Sequence, residues 1–220
     1  AGLSIREAVA TANMKATIVN GTITDNRTQT IAGVNITGGY AGGLQAYSIN
    51  STQDVTLHNT IVAGNTSTNT NFHDQWGALQ GASSHNIIGQ VGSSALTNNV
   101  NGNKVGTSTV HVDAKLAALT DNGGPTLTHA LLGDSPAIDA GNDSLAAALD
   151  QRGFGRPVDA PAAGGVGGTS DSGAYEYGVS ALLDATGKLT VDDSTSRINS
   201  IVLTVGMAAD RTVVKLNGKA

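Results

Sequence analysis

Short apolar stretches of period two set the pattern between Lys15 and about Asp113. Residues 16–20, 22–24, 34–37, 46–50, 55–58, 60–62, 86–88 and 108–112 each gather β-branched and aliphatic side chains. Gly-Gly, Asn-Gly and Ser/Thr/Asn turns separate them, which is how a series of short strands reads. Ile18, Ile23, Val34, Ile36, Ile49, Val55, Leu57, Ile61, Ile87 and Ile88 are expected to line one continuous core. Residues 66–84 lie between runs and are expected to form a lateral loop. Before the runs, the stretch from Leu3 to Asn13 places Ile5, Ala8, Val9 and Ala12 on one helical face. Ser4 and Glu7 stand there at capping-box spacing, so a short helix is predicted. After Tyr177, runs at 188–191, 200–205 and 211–216 alternate again around turns at 192–194 and 208–210, which predicts a small β meander.

The runs repeat loosely. Asn20-Gly-Thr-Ile-Thr-Asp-Asn26 resembles Asn59-Thr-Ile-Val-Ala-Gly-Asn65 at a spacing of 39 residues. That spacing reads as two coils of about 20 residues each, within the range of solenoid repeats. Asparagines at equivalent turns are expected to stack, each side-chain amide bonding the next coil.

Composition narrows the class. The chain has 220 residues, 29 Gly, seven aromatic residues and 13% charged residues. Gly- and Asn-rich turns between short strands produce such a balance, and it is unlike that of an ordinary α/β enzyme. The net charge of −5 argues against a nucleic-acid partner. No cysteine is present, so there is neither a disulfide framework nor thiol chemistry. No segment is apolar over the 18 or so residues a membrane span requires. The chain starts at Ala1 and ends beyond Asn217-Gly218, a hairpin-turn signal. It is therefore expected to be a piece of a longer secreted protein, with coils missing near Asn13-Met14.

Candidate chemistry is sparse. Arg152 and Arg156 sit among acidic residues, and ion pairs with Asp139 and Asp171 would pin irregular loops there. The same region admits a calcium site, with Asp143, Asp150, Asp159 and Asp171 as oxygen donors in Gly-rich loops. His73-Asp74-Gln75-Trp76 offers three readings. Trp76 plugs the core under a loop, or it stacks on a sugar, or His73 acts as a base oriented by Asp74. Neighbouring residues on a strand point to opposite faces, which weighs against the last. The acidic residues at 25, 54 and 74 are scattered over different turns, unlike the paired carboxylates of a glycosidase. His58, His85, His111 and His129 are isolated in sequence, and no His spacing suggests zinc.

Four separated blocks carry a family resemblance. They are Asp121-Asn-Gly-Gly-Pro-Thr-Leu-Thr-His-Ala-Leu131, Gly133-Asp-Ser-Pro-Ala-Ile-Asp-Ala-Gly141, Asp150-Gln-Arg-Gly-Phe-Gly-Arg-Pro157 and Asp171-Ser-Gly-Ala-Tyr-Glu-Tyr177. In this order they resemble the C-terminal signature of bacterial secreted, pectin-lyase-like proteins of the choice-of-anchor type. Leu3-Ser-Ile-Arg-Glu-Ala8 resembles the Cys-Ser-Leu-Arg-Glu-Ala cap of the same group, with Leu3 and Ile5 replacing Cys and Leu. The resemblance implies an all-β chain: a short right-handed parallel β-helix with an N-terminal helical cap and a C-terminal antiparallel extension. The expected divisions are residues 1–13, 14–115, 116–177 and 178–220. Secretion to the cell surface and a non-catalytic structural role follow as expectations, as adhesin stalk, envelope layer or filament. Cell-surface glycan or copies of the chain itself are the expected partners. A glycan-binding or polysaccharide-cleaving protein is the alternative.

Overall fold

The computed structural model describes residues 2–6, 15–28, 41–47, 54–68, 73–92, 96–159, 169–183, 189–193, 201–208 and 211–218. The described residues hold no α-helix, only a three-residue 3-10 turn at Asp143–Leu145. Most of their strands pair in parallel, so the described residues form an all-β structure. The first pass of the chain supplies β1 (Leu3–Arg6), β2 (Lys15–Val19) and β3 (Thr22–Ile23). The second supplies β4 (Leu44–Tyr47), β5 (Asp54–His58) and β6 (Ile61–Val62). These pair in order, β1 with β4, β2 with β5 and β3 with β6. A third pass adds β7 (Gln75–Trp76) beside β4, a bridge from Ser84 to His58, and β8 (Ile87–Ile88) beside β6. A fourth adds Val91 beside Gln75 and β9 (Lys104–Val105) beside β8.

Successive passes shorten. Along the sheet of β3, β6, β8 and β9, equivalent residues are 39 apart between the first and second passes, 26 between the second and third, and 17 between the third and fourth. The 39-residue repeat is thus one pass, not two, since Thr22 pairs directly with Ile61. Residues 66–84 are likewise no lateral loop, because β7 and Ser84 within them extend two of the sheets. The polar strand Gln75–Trp76 gave no apolar signal. The run at 108–112 is not a strand either. The Thr107 hydroxyl accepts from the N–H groups of Thr109 and Val110, a local turn that competes with the ladder.

The expected helical cap is also corrected. Leu3–Arg6 is a strand in register with Leu44–Tyr47. A helix of about three turns is marginal alone, and parallel pairing satisfies the backbone groups of Leu3–Arg6 through tertiary contact. The rest of the expected helix, residues 7–13, lies outside the described residues.

Two apolar cores form instead of one. Val55, Leu57, Val62 and Ile88 point inward with Leu44 and Ala46, and Ile18 and Ile23 pack against them half-buried. Ile61 and Ile87 point the other way, under Ile138, Tyr175 and Tyr177. The cause is alternation: in Ile61-Val62 and Ile87-Ile88, adjacent side chains must face opposite sides of the sheet. A sheet covered on both faces takes such continuous apolar pairs. Val34, Ile36 and Ile49 lie outside the described residues.

Side-chain amides tie the passes together, as the stacked asparagines predict. Thr60 Oγ1 accepts from Gly21 N at 3.3 Å, Asn86 Oδ1 from Thr60 N at 2.9 Å, and Asn103 Oδ1 from Asn86 N at 3.1 Å. Each residue in turn donates to a carbonyl of the pass before: Ile18 O, Leu57 O and Ser83 O. A second ladder runs from Asn26 to Asn65 to Asp74 through the same kind of backbone bond. Asn86 is wholly buried. Asn86→Ala leaves Thr60 N–H and Leu57 C=O without these partners, so stability falls by about 1–3 kcal/mol. Urea denaturation checks this, and an unmoved midpoint removes the ladder from the account of stability.

The described residues from 112 to 159 and from 169 to 177 fold as an irregular block on the outer face of β3, β6 and β8. Gly123 and Gly124, in the predicted turn cluster, take φ of 88° and 86°. Antiparallel bridges Thr120–Thr128 and Leu116–Leu131 flank that turn. Asn59 and Asn142 bond reciprocally, at 3.0 Å and 2.8 Å. Ala174 N donates to Thr22 Oγ1, and Ser172 Oγ to His85 O. Gly173 has φ of 102°, and a Cβ there would stand 2.6 Å from Ile61 Cδ1, so glycine is required for this approach.

Two antiparallel hairpins follow, β10 (Val179–Leu183) with β11 (Leu189–Asp193) and β12 (Ile201–Ala208) with β13 (Arg211–Gly218). The runs at 188–191, 200–205 and 211–216 fall in β11, β12 and β13, whereas β10 was not expected. Asn217-Gly218 is no turn. It pairs with Val202 and Ile201, where the ladder across from β12 overrides the local turn preference.

Candidate functional site

The buried charges of the C-terminal block come first. Arg152 and Asp150 have fully buried side chains and meet at 2.7 Å. Arg152 also donates to Glu176 O at 2.8 Å, and its guanidinium lies 3.6 Å from the Tyr175 ring centre and 4.7 Å from that of Phe154. Arg156 pairs with Glu176 at 3.0 Å and donates to the carbonyls of Asp171 and Gly173. Both arginines are therefore bonded to carboxylates and loop carbonyls, with the carboxylates of Asp150 and Glu176 among their partners. Asp171 enters through its main chain. Its carboxylate accepts from Asp139 N and Tyr177 N. Asp139 contributes that N–H at a φ of 50°. Burial and the nearby Glu176 carboxylate push Asp171 up to about 8. Burial likewise pushes Glu176 up to about 6, against the pull of Arg156.

The four residues proposed for calcium are not gathered. Asp150 faces Arg152, and Asp171 takes backbone donors. Asp143 accepts from Thr169 N and Ser170 N, which hold it below the usual carboxylate range despite the opposing effect of desolvation. Asp159 is exposed. Among the described residues no three His, Cys, Asp or Glu side chains converge on a point where a metal ion would sit.

In the loop at 73–76, alternation sends Gln75 into the interior and leaves Trp76 half-buried on the outer face. Trp76 therefore does not plug the core. Its ring lies nearly parallel to that of Tyr47, at 9° with centroids 5.9 Å apart. Asp74 does not orient His73 either. It accepts from Asn65 N at 2.8 Å and Asn65 Nδ2 at 2.9 Å, within the second ladder. Burial nonetheless raises its pKa. His73 Nδ1 accepts from Ser67 N at 3.0 Å, so it has no proton there to share with a carboxylate.

A cleft of about 520 Å³ opens between the second ladder and residues 111–118, lined by His73, His111, His129, Asp25 and Asp113 among others. The His73 and His111 rings stand edge to face at 6.1 Å. His129 Nδ1 lies 2.8 Å from Ala117 O, and its Nε2 lies 4.0 Å from Asp25 Oδ2. Histidines isolated in sequence are thus collected in space by the docking of the C-terminal block on the parallel sheets. No local spacing marks them, because they come from different passes. The chain matches no protein-family model, no curated protein and no solved structure.

Proposed function

We propose that this chain is a non-catalytic structural module of a bacterial cell surface, built as a short right-handed parallel β-helix. Three parallel sheets that each gain strands from successive passes, with side-chain ladders between passes, support the β-helix. A right-handed turn is the expected hand for parallel crossovers. The observation that carries the function is the use of the polar side chains. Asn59, Asn86, Asn103, Asp150, Arg152, Arg156 and Glu176 all hold backbone or one another, from buried or nearly buried positions. Such an arrangement resists deformation, which suits an adhesin stalk, an envelope layer or a filament. No described helix is long and apolar enough to cross a membrane. Cell-surface glycan or further copies of the chain are the partners such a module would meet.

Incubation of the purified chain with acidic and neutral polysaccharides tests this reading. Neither unsaturated nor new reducing ends are expected. Their release, abolished by boiling the protein first, would replace the structural role with a catalytic one.

A further inference from the structure

We infer that the cleft around His129 is a binding site for a neutral sugar, recognised through a pair of adjacent hydroxyl groups. His129 borders three hollows, of about 520, 310 and 140 Å³, and is the residue they share. The largest falls within the range of small-molecule sites. The inference does not depend on the chain serving as a scaffold.

The chemistry follows from proton positions that the partners dictate. A carbonyl oxygen only accepts, so His129 Nδ1 carries a hydrogen and donates it to Ala117 O. In its neutral form the ring then presents a lone pair at Nε2. Asp25 Oδ2, 4.0 Å away, is a second acceptor, too far for a direct hydrogen bond. The Asp25 side chain is 73% exposed, and its carboxylate meets no other polar side chain among the described residues. His73 is the opposite tautomer. Ser67 N–H donates to its Nδ1, so its hydrogen sits on Nε2 and is available to donate. The cleft therefore offers two neighbouring acceptors and one donor. Vicinal hydroxyls of a sugar ring match this set: one O–H donates to His129 Nε2, the next to Asp25 Oδ2, and a third oxygen accepts from His73 Nε2–H.

The walls select the charge of the ligand. Asp25, Asp74 and Asp113 line the cleft, while Lys115, its only Lys or Arg among the described residues, is bonded to Asp134. Phosphates and uronates meet net negative potential there. A divalent metal lacks a third converging ligand among the described residues.

The test is a titration of the folded chain followed by the imidazole resonances in NMR. The probes are maltohexaose, cellohexaose, xylohexaose and mannohexaose, with tetragalacturonate and a neutral hexapeptide as controls. At least one neutral sugar is expected to shift the His129 and His73 signals with a dissociation constant of order 1 mM. Asp25→Ala should weaken that sugar about tenfold or more. Asp25 has φ of 57°, so Asp25→Asn, which tolerates that backbone, serves as the second variant and should weaken it less. Silence with all four neutral sugars, shifts with tetragalacturonate or the peptide instead, or equal affinity in Asp25→Ala overturns the assignment.

Discussion

Arg152→Ala is expected to lower stability by about 3–5 kcal/mol, the scale for breaking a buried ion pair from one side. The substitution strands the Asp150 carboxylate, which is fully buried and meets Arg152 through two nitrogens. It also removes the donor to Glu176 O and the cation held against Tyr175 and Phe154. Asp150 keeps bonds from Arg152 N, Phe154 N and Glu176 N, so the loop loses its charge balance rather than all its bonds. Arg152→Lys should recover little, because an ammonium cannot fork between a carboxylate and a carbonyl while lying flat on a ring. Thermal and urea denaturation measure both. A melting curve that Arg152→Ala leaves in place removes the ion pair from the account of stability.

Stability is expected to fall as the pH is raised from about 4 to about 8, by several degrees in Tm. Asp171 and Glu176 both have folded pKa values above their ordinary 3.8 and 4.5, at about 8 and about 6. The folded state therefore binds more protons than the unfolded state in this window, and unfolding becomes easier as pH rises. The contribution is fully present below the unfolded values. It is lost through about 6 for Glu176 and about 8 for Asp171. The cause is local: burial raises the Asp171 carboxyl, the Glu176 and Asp139 carboxylates add to it, and the backbone donors and Arg156 only partly offset them. Asp143 and Asp134, both lowered, act in the opposite sense in more acid solution, and His58 and His85, lowered by burial, oppose the slope only below their ordinary 6.5. Melting from pH 4.5 to 9 follows the effect. Asp171→Asn should cost stability at pH 5 yet flatten the slope between pH 6 and 8. A Tm that climbs steadily from pH 5 to 8.5 contradicts it.

What the sequence reveals here depends on whether a signal is local. Alternation in Val55-Thr-Leu-His58 marked a strand and its buried face, because side-chain direction is fixed residue by residue. Gly123-Gly124 marked a turn for the same reason. The pairs Ile61-Val62 and Ile87-Ile88 carried more than a strand: they implied apolar contact on both faces, and only the docked block supplies the second. β7 was hidden because it places the polar Gln75 inside and Trp76 outside. Arg152 and Arg156 were legible as ion-pair residues, but their carboxylates were not, since many acids lie near them in sequence. The cleft was illegible for a stronger reason: Asp25 and His73 come from different passes, His111 and His129 follow the last strand of those passes, and only the docking of the C-terminal block on the sheets brings the four together.

The outer face of β6 and β8 has a consequence for the order in which the chain matures. Ile61 and Ile87 are covered by Ile138, Tyr175 and Tyr177, which lie far along the sequence. Contacts such as Asn20 to Asp171 span 151 residues, and long loops of this kind close late. From the ribosome, about 90 residues separate Ile87 from Tyr177, which at 5–20 residues per second is roughly 5–20 s of synthesis. Throughout that interval a finished sheet presents bare isoleucines to its surroundings. A nascent chain halted near residue 115 would therefore be sticky, and its escape from aggregation would rest on how soon the next sixty or so residues arrive.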